Sequence, residues 1–230
     1  MIRIFIAAAF AAVALTGAAK AQAFPAKPLE LIIPYPPGGA ADILGRLTAR
    51  EMESHLGQPV IVLNKGGAGT IIGAQAAAAA KPDGYTLFMS SNTTFSMNPA
   101  VHAKVPYDAA TQFEPIGMIG AIGLAVLTTP ATPYGSLKAL VDDAKARPGA
   151  VSYASFGNAT TSHFAAEMFL QTAGLKMLHV PYKGSSPAMT DLIGGVVPVS
   201  FDTVTATLPQ LKAGKVKVLA VTSAARSQFL

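Results

Sequence analysis

The chain has 230 residues, 51% of them apolar and 13% charged, which is enough to bury the cores of one or two domains and too hydrophobic for a disordered segment. It holds no cysteine, and its four histidines, His55, His102, His163 and His179, lack the spacing of a helical metal pair, so neither a metal nor a cofactor is expected. The formal net charge of +5 is not gathered into a cluster of Lys and Arg that could track a phosphate backbone, which argues against nucleic acid as a partner.

The chain opens on "MIRIFIAAAFAAVALTGAAKAQA", where Arg3 precedes an apolar run and small residues follow it, the three-part layout of a cleaved secretory signal peptide. The apolar run is shorter than the roughly 20 residues of a membrane span. Cleavage fits before Gln22 or before Phe24; a retained anchor is the alternative. Loss of residues 1–23 removes Arg3 and Lys20 and lowers the formal net charge from +5 to +3. The remaining chain is expected in the periplasm.

From Leu29 onward, short apolar runs alternate with one-sided helical stripes, the pattern of an α/β protein with a largely parallel sheet. Strands are predicted at Leu29 to Ile33, Val60 to Leu63, Tyr85 to Met89, Ile116 to Ile122, Leu124 to Thr128, Ser152 to Ala154, Met177 to Val180, Val197 to Phe201 and Val216 to Val221. Ile43, Leu44, Leu47, Met52 and Leu56 recur at helical spacing, as do Leu137, Leu140, Val141 and Ala144, and again Phe164, Met168, Phe169 and Thr172. The alanine-rich run from Ala74 to Lys81 reads as another helix, and Gly57, Gly174 and Gly214 sit where helices could end left-handed. Two apolar segments follow one another between Phe113 and Pro130, which reads as a crossover between two sheets with a domain boundary near Gly123.

The loops after the strands carry the candidate chemistry. In "LELIIPYPPGGAADILGR", Gly38 and Gly39 leave the amides of the next helix open, with the positive end of its dipole behind them, an anion site by construction. Asp42 at the third helical position can bond back to the Gly39 amide as half of a capping box, or contact a ligand directly. "SSNTT", "SFGNATTS", "YKGSSP" and "FDTVT" follow other strands; Ser162 and Ser186 read as N-caps, the latter with Pro187 at the first helical position. In open α/β sheets such loops converge on one crevice, and two facing crevices make a cleft rich in hydroxyls and amides. Nucleophile-elbow and Walker motifs are absent, and "GGAGTIIG" departs from a dinucleotide fingerprint and reads as a tight strand-to-helix turn. The expectation is a binding protein and not an enzyme. The rivals are a secreted enzyme using Asp42, His163 or Asp202 as acid or base, and a sensor that presents its closed form to a receptor.

Taken together, the chain resembles the substrate-binding proteins of tripartite tricarboxylate transporters, the Bug family. Four stretches carry the resemblance: Tyr35 to Asp42, "NKGGAGTIIGAQAAAAAKPDGYTL" from Asn64, "SHFAAEMF" from Ser162, and "HVPYKGSSPAMTDLIGG" from His179, continuing into "LAVTSAAR". The resemblance implies a two-lobed, type II Venus-flytrap fold that takes a small carboxylated solute and delivers it to the membrane subunits of a tripartite tricarboxylate-type transporter. It divides the chain into the signal peptide, a first lobe over 24–123 and a second over 124–230. Carried over motif by motif, the first-lobe contacts are Gly38, Gly39, Ala40, Ser91, Asn92 and Thr93. Those of the second lobe are Gly157, Asn158, Ala159, Thr160, Ser162, Gly184, Ser185 and Asp202. Family chains continue past "LAVTSAAR" with a segment that returns to the first lobe, so the resemblance implies a fold with that C-terminal return missing and an uncovered first-lobe edge.

Overall fold

The computed structural model describes residues 23–230; the expected signal peptide, residues 1–23, lies outside the described residues in all but its last position. Two sheets organise the chain. The first contains β1 (Leu29–Ile33), β2 (Val60–Asn64) and β3 (Thr86–Phe88) in the order β2-β1-β3. All its pairs are parallel, with Leu29 opposite Val60 and Ile32 opposite both Leu63 and Phe88. Parallel strands need crossovers, and two helices supply them: α1 (Ala40–Leu56) and α2 (Ile71–Ala78). Four of the five residues of β1 are buried, as its continuous apolar run requires, and Leu29, Leu31 and Ile33 pack with Ala49 and Val60 into one core. Helix α1 stops at Gly57, whose left-handed φ of 66° lets its amide close back on Glu53.

A π-helical turn (Thr93–Met97) and the short α3 (Asn98–Val101) follow β3. The second sheet then assembles from β4 (Leu124–Thr128), β5 (Ser152–Ser155), β6 (Leu178–Pro181), β7 (Val199–Thr203) and β8 (Lys217–Val221), in the order β6-β5-β7-β4-β8. Its crossover helices are α4 (Leu137–Ala146), α5 (Thr161–Ala173), α6 (Ser185–Ile193) and α7 (Val204–Lys212). Strand β4 is the exception to parallel order and runs antiparallel to both β7 and β8. It is buried along its whole length, Val126 in the core with Tyr153, Leu170 and Phe201, Ala125 and Leu127 in the core with Met189 and Leu192. That is the two-residue alternation of a strand covered on both faces.

The predicted strand at Ile116 to Ile122 does not form. Residues 102–123 contain neither helix nor strand, and Ile116 and Met118 are 85% and 86% exposed. An apolar run becomes a strand only where a neighbouring edge offers hydrogen bonds, and the described residues place none beside it. Tyr107 and Phe113 dock this connection on the first lobe: the buried Tyr107 hydroxyl donates to the Thr94 carbonyl at 2.7 Å, and Phe113 stacks on Phe88 at 5.3 Å. The remaining predicted strands are present, Leu29–Ile33 and Leu124–Thr128 with the predicted ends and the others with ends shifted by at most two residues.

The close approach of α2 to the first sheet depends on Gly73. A Cβ there would lie 2.5 Å from Pro34 Cβ and 2.7 Å from the Lys65 carbonyl oxygen, one of them backbone that cannot rotate away. Gly73→Ala is expected to cost about 1–3 kcal/mol, the usual cost of overpacking. Gly117→Ala, with nothing within 4 Å, should be neutral; urea titrations of both variants beside the parent measure the difference.

Candidate functional site

The turn after β1 is built by glycine and braced by a carboxylate. Gly38 takes φ 87°, which a residue with a Cβ rarely adopts, and Gly39 is the N-cap of α1 without a side-chain bond. The first amides of α1 therefore have no carbonyl one turn back to accept them. Asp42 reaches back, but to the Gly38 amide (3.0 Å) and not the Gly39 amide expected from a capping box. It also accepts from Arg46 Nε (3.1 Å) and Asn64 Nδ2 (2.9 Å), and Arg46 pairs with it at 2.9 Å. Burial alone would raise the Asp42 pKa; the bonds from Arg46, the Gly38 amide and Asn64 outweigh it and hold the carboxyl below its ordinary value.

Across from this turn, the second lobe presents two helix starts. The chain leaves β5 through Phe156 and Gly157 (φ 129°), passes Ala159 in the left-handed region (φ 58°), and enters α5 at Thr161. Thr160, not Ser162, is the N-cap: its hydroxyl accepts from the His163 amide (3.4 Å) and donates to the Gly157 carbonyl (2.8 Å). Ser162 is fully buried and donates to the Phe201 carbonyl at 2.6 Å, tying α5 to β7. Helix α6 likewise begins two residues earlier than predicted, with Gly184 (φ 125°) as N-cap and Ser185 in its first turn. Sequence spacing misplaced both caps because several hydroxyls in a row satisfy the local rule, and only tertiary partners choose among them.

Ser185 rests on a buried acid. Its Oγ lies 2.9 and 2.8 Å from the two carboxylate oxygens of Asp202, which also accepts from the Thr203 amide at 2.6 Å. Burial pushes Asp202 up to about 7 against the pull of Ser185 and Thr203. Asp202 is fully buried and stands behind Ser185, which is its link to the seam.

The lobes meet where these helix starts face each other. A Cβ on Gly39 would lie 3.4 Å from Ser185 Cβ, and one on Gly184 would lie 2.5 Å from the Pro36 ring. Ser186 donates to the Pro37 carbonyl, and the Thr161 amide, in the first turn of α5, donates to Thr93 Oγ1 at 3.2 Å. Thr93 thus caps an opposite-lobe helix with a neutral oxygen. Beside the contact lies a cavity of about 360 Å³, lined from the first lobe by Tyr35 and residues 67–71 and from the second by Phe156, Gly157, Asn158, Thr160, Tyr182 and Lys183. Of the predicted residues, Gly157, Asn158 and Thr160 line this cavity; Gly38, Gly39, Ala40, Thr93, Gly184 and Ser185 belong to the seam and its two facing loops. Ser91 supports Tyr35, whose hydroxyl lies 2.8 Å from Ser91 Oγ, and Asn92 is exposed.

Sequence reading missed the loop from Gly67 to Thr70 as part of the cleft wall. Its φ values are 125°, 47°, 57° and 79°, and a positive φ at β-branched Thr70 is a strained position. Thr70 Oγ1 accepts from Thr94 Oγ1 (2.7 Å) and Asn98 Nδ2 (3.2 Å), and the same Asn98 amide donates to the Gly69 carbonyl (2.8 Å), so a buried network holds the strain in place. Three glycines in the four residues before Thr70 were the available signal.

Two α/β lobes whose helix starts and glycine turns face one another across a cavity define a periplasmic binding protein. Comparison with known proteins gives the family. Residues 44–230 match the tripartite tricarboxylate transporter family receptor. Protein BugT of Bordetella pertussis is 38% identical over 228 residues, covering 99% of this chain and 69% of that protein. The structure of the periplasmic binding protein BugD superposes with a TM-score of 0.84 at 36% identity, over 88% of this chain and 68% of that one. An R. palustris protein solved with adipate gives a TM-score of 0.86 at 33% identity, again over 88% and 68%. The chain belongs to this family of Bug-type periplasmic binding proteins, and it spans 69% of BugT and 62% of a further relative from Pseudomonas.

The Asp42 brace has a pH signature. A carboxyl held below its unfolded value contributes stability above about pH 4, and that contribution is lost as pH falls through the lower folded value. Asp42→Asn should therefore unfold at lower denaturant than the parent at pH 7, with the difference shrinking as both are acidified.

Proposed function

We propose that the chain is an exported solute receptor that closes on a small carboxylate between its lobes and presents the loaded form to the membrane subunits of a tripartite tricarboxylate-type transporter. On this reading the lobes comprise residues 24–123 and 124–230, swing about the connection near Gly123, and lie in the periplasm after removal of an N-terminal signal. The observation that carries it is the meeting of helix starts from both lobes at one seam. Amides of α1 beyond Gly39, of α5 beyond Thr160 and of α6 beyond Gly184 converge there, each with a helix dipole behind it. A carboxylate oxygen can replace the neutral Thr93 hydroxyl at the Thr161 amide with a stronger, charge-assisted bond.

Recognition by amides suits a receptor whose cargo must leave again. The adipate held by the R. palustris relative has the terminal carboxylates this arrangement would recognise. The groups that could serve as catalysts are engaged otherwise. Asp42 braces its turn, Asp202 orients Ser185, and Ser162 spends its proton on a main-chain carbonyl. Binding without catalysis is the reading that fits these partnerships.

Gly39→Val tests it. The two added methyl groups enter the space against Ser185 and block close approach to the α1 amides. In thermal-shift and calorimetric assays over a panel of mono-, di- and tricarboxylates, the parent should be stabilised by at least one acid, and the variant should bind that acid at least about tenfold more weakly, roughly 1.4 kcal/mol. A folded variant of unchanged affinity, or a parent indifferent to every acid, would contradict the proposal.

A further inference from the structure

Behind the Gly157–Thr160 loop lies a stack of three rings to which the binding reading gives no role. His163 of α5 lies flat on His179 of β6, with centroids 4.0 Å apart and planes within 8°, and His179 in turn stacks on Tyr153 of β5 at 5.0 Å. The edges of both imidazoles are committed to the loop. His163 Nδ1 takes the Ala159 amide at 3.2 Å. His179 Nε2 lies 2.6 Å from Ser155 Oγ, and that hydroxyl accepts from the Gly157 amide at 3.1 Å. These are the two residues of the loop with positive φ, and Ala159 is not a glycine, so its left-handed turn needs outside support.

We propose that His163 is a positioning residue for the solute site: in its neutral form it accepts the Ala159 amide and fixes the left-handed turn that shapes the second-lobe wall of the cleft. This rests on the carboxylate-binding reading for its consequence, but not for its structural content. The chemistry dictates the tautomer. Nδ1 can accept only if the proton sits on Nε2, which faces Glu167 Oε1 at 3.8 Å. A protonated His163 would turn an N–H toward the Ala159 N–H, setting donor against donor, and the turn would lose its acceptor. The other titratable groups with contacts in the stack are Glu167 on the same helix, which accepts from Tyr153 OH at 2.5 Å, His179 on β6 and Tyr153 on β5. Charge on one imidazole is opposed by charge on the other, since burial and the neighbouring His163 push His179 down to about 4, and burial lowers His163 against the pull of Glu167.

The sign follows directly. A histidine whose folded pKa is depressed keeps its neutral-state contribution above the unfolded value of about 6.5 and loses it as pH falls below that. In the folded protein the acceptor is present at neutral pH and is lost as pH falls through the lowered folded value, so the cleft should hold solute best at neutral pH and weaken in that more acidic range.

Two variants separate the bond from the packing. His163→Phe keeps a flat ring and removes the acceptor; His163→Asn offers an amide oxygen in place of Nδ1 and cannot titrate. The first readout needs no solute: the exchange protection of the Ala159 amide, corrected for intrinsic rates, at pH 7.5 and pH 5. The proposal expects protection to fall on acidification in the parent, to be low at both pH values in the Phe variant, and to be retained at both in the Asn variant. The second readout is affinity for adipate as probe. It should drop about three- to tenfold in the Phe variant, the worth of one neutral hydrogen bond, and fall more steeply from pH 7.5 to 5 in the parent than in the Asn variant, in which only Asp202 and adipate itself still take up protons. Equal Ala159 protection in the parent and the Phe variant, or the same pH dependence in the parent and the Asn variant, overturns the proposal. Should the Phe variant fail to fold, the comparison of parent with Asn variant still decides. If adipate does not bind, the exchange measurement tests His163 alone, and failure of the binding reading is seen separately.

Discussion

The structure depends on one close contact between helix starts, Gly39 of α1 against Ser185 of α6 with Gly184 against the Pro36 ring. Two helix N-termini carry partial charges of the same sign and repel each other weakly, so natural packing does not bring them together without a reason. Here one glycine from each lobe, Gly39 against Ser185 and Gly184 against Pro36, leaves room for the two helix starts to approach. The result is a seam in which backbone donors from both lobes point at a common space, an arrangement that becomes favourable when an anion shares it.

The braces around the seam follow from that requirement. A glycine turn is entropically costly to hold, and each lobe supplies a carboxylate to hold it. In the first lobe Asp42, charged and paired with Arg46, ties Gly38 to Asn64 on the neighbouring strand. In the second, Asp202 sits deeper, with its pKa pushed up, and orients Ser185 through the hydroxyl. Both acids stand behind the backbone amides rather than among them. That placement keeps both carboxylates off the face where the helix-start amides lie.

The fold was legible in the sequence where the signal is local. The run from Leu29 to Ile33 reads as a strand buried on both faces because every residue but Glu30 is apolar, and Gly57 and Gly174 end helices left-handed as their positions suggest. The loops of the cleft were legible as a set, since each follows a strand and opens a helix. Their internal wiring was not. Thr160 and Ser162 are equally good caps by type, and the buried carbonyl of Phe201, far away in sequence, claims the second. Thr70 carries no mark of its positive φ, because the network of Asn98 and Thr94 that holds it is assembled only in three dimensions. Ile116 to Ile122 has the composition of a strand, but pairing is a property of two segments, and one segment cannot report it.

The most direct measurement of the central claim is a backbone-amide NMR titration of the protein with a graded series of linear dicarboxylates beginning at adipate. If the opposed helix starts form the site, the largest saturable shifts will fall on the amides of residues 39–41, 157–162 and 184–187, from both lobes and at one common midpoint. Shifts confined to a single lobe, or centred on the aromatic groove of Phe95 and Tyr107, would contradict the account.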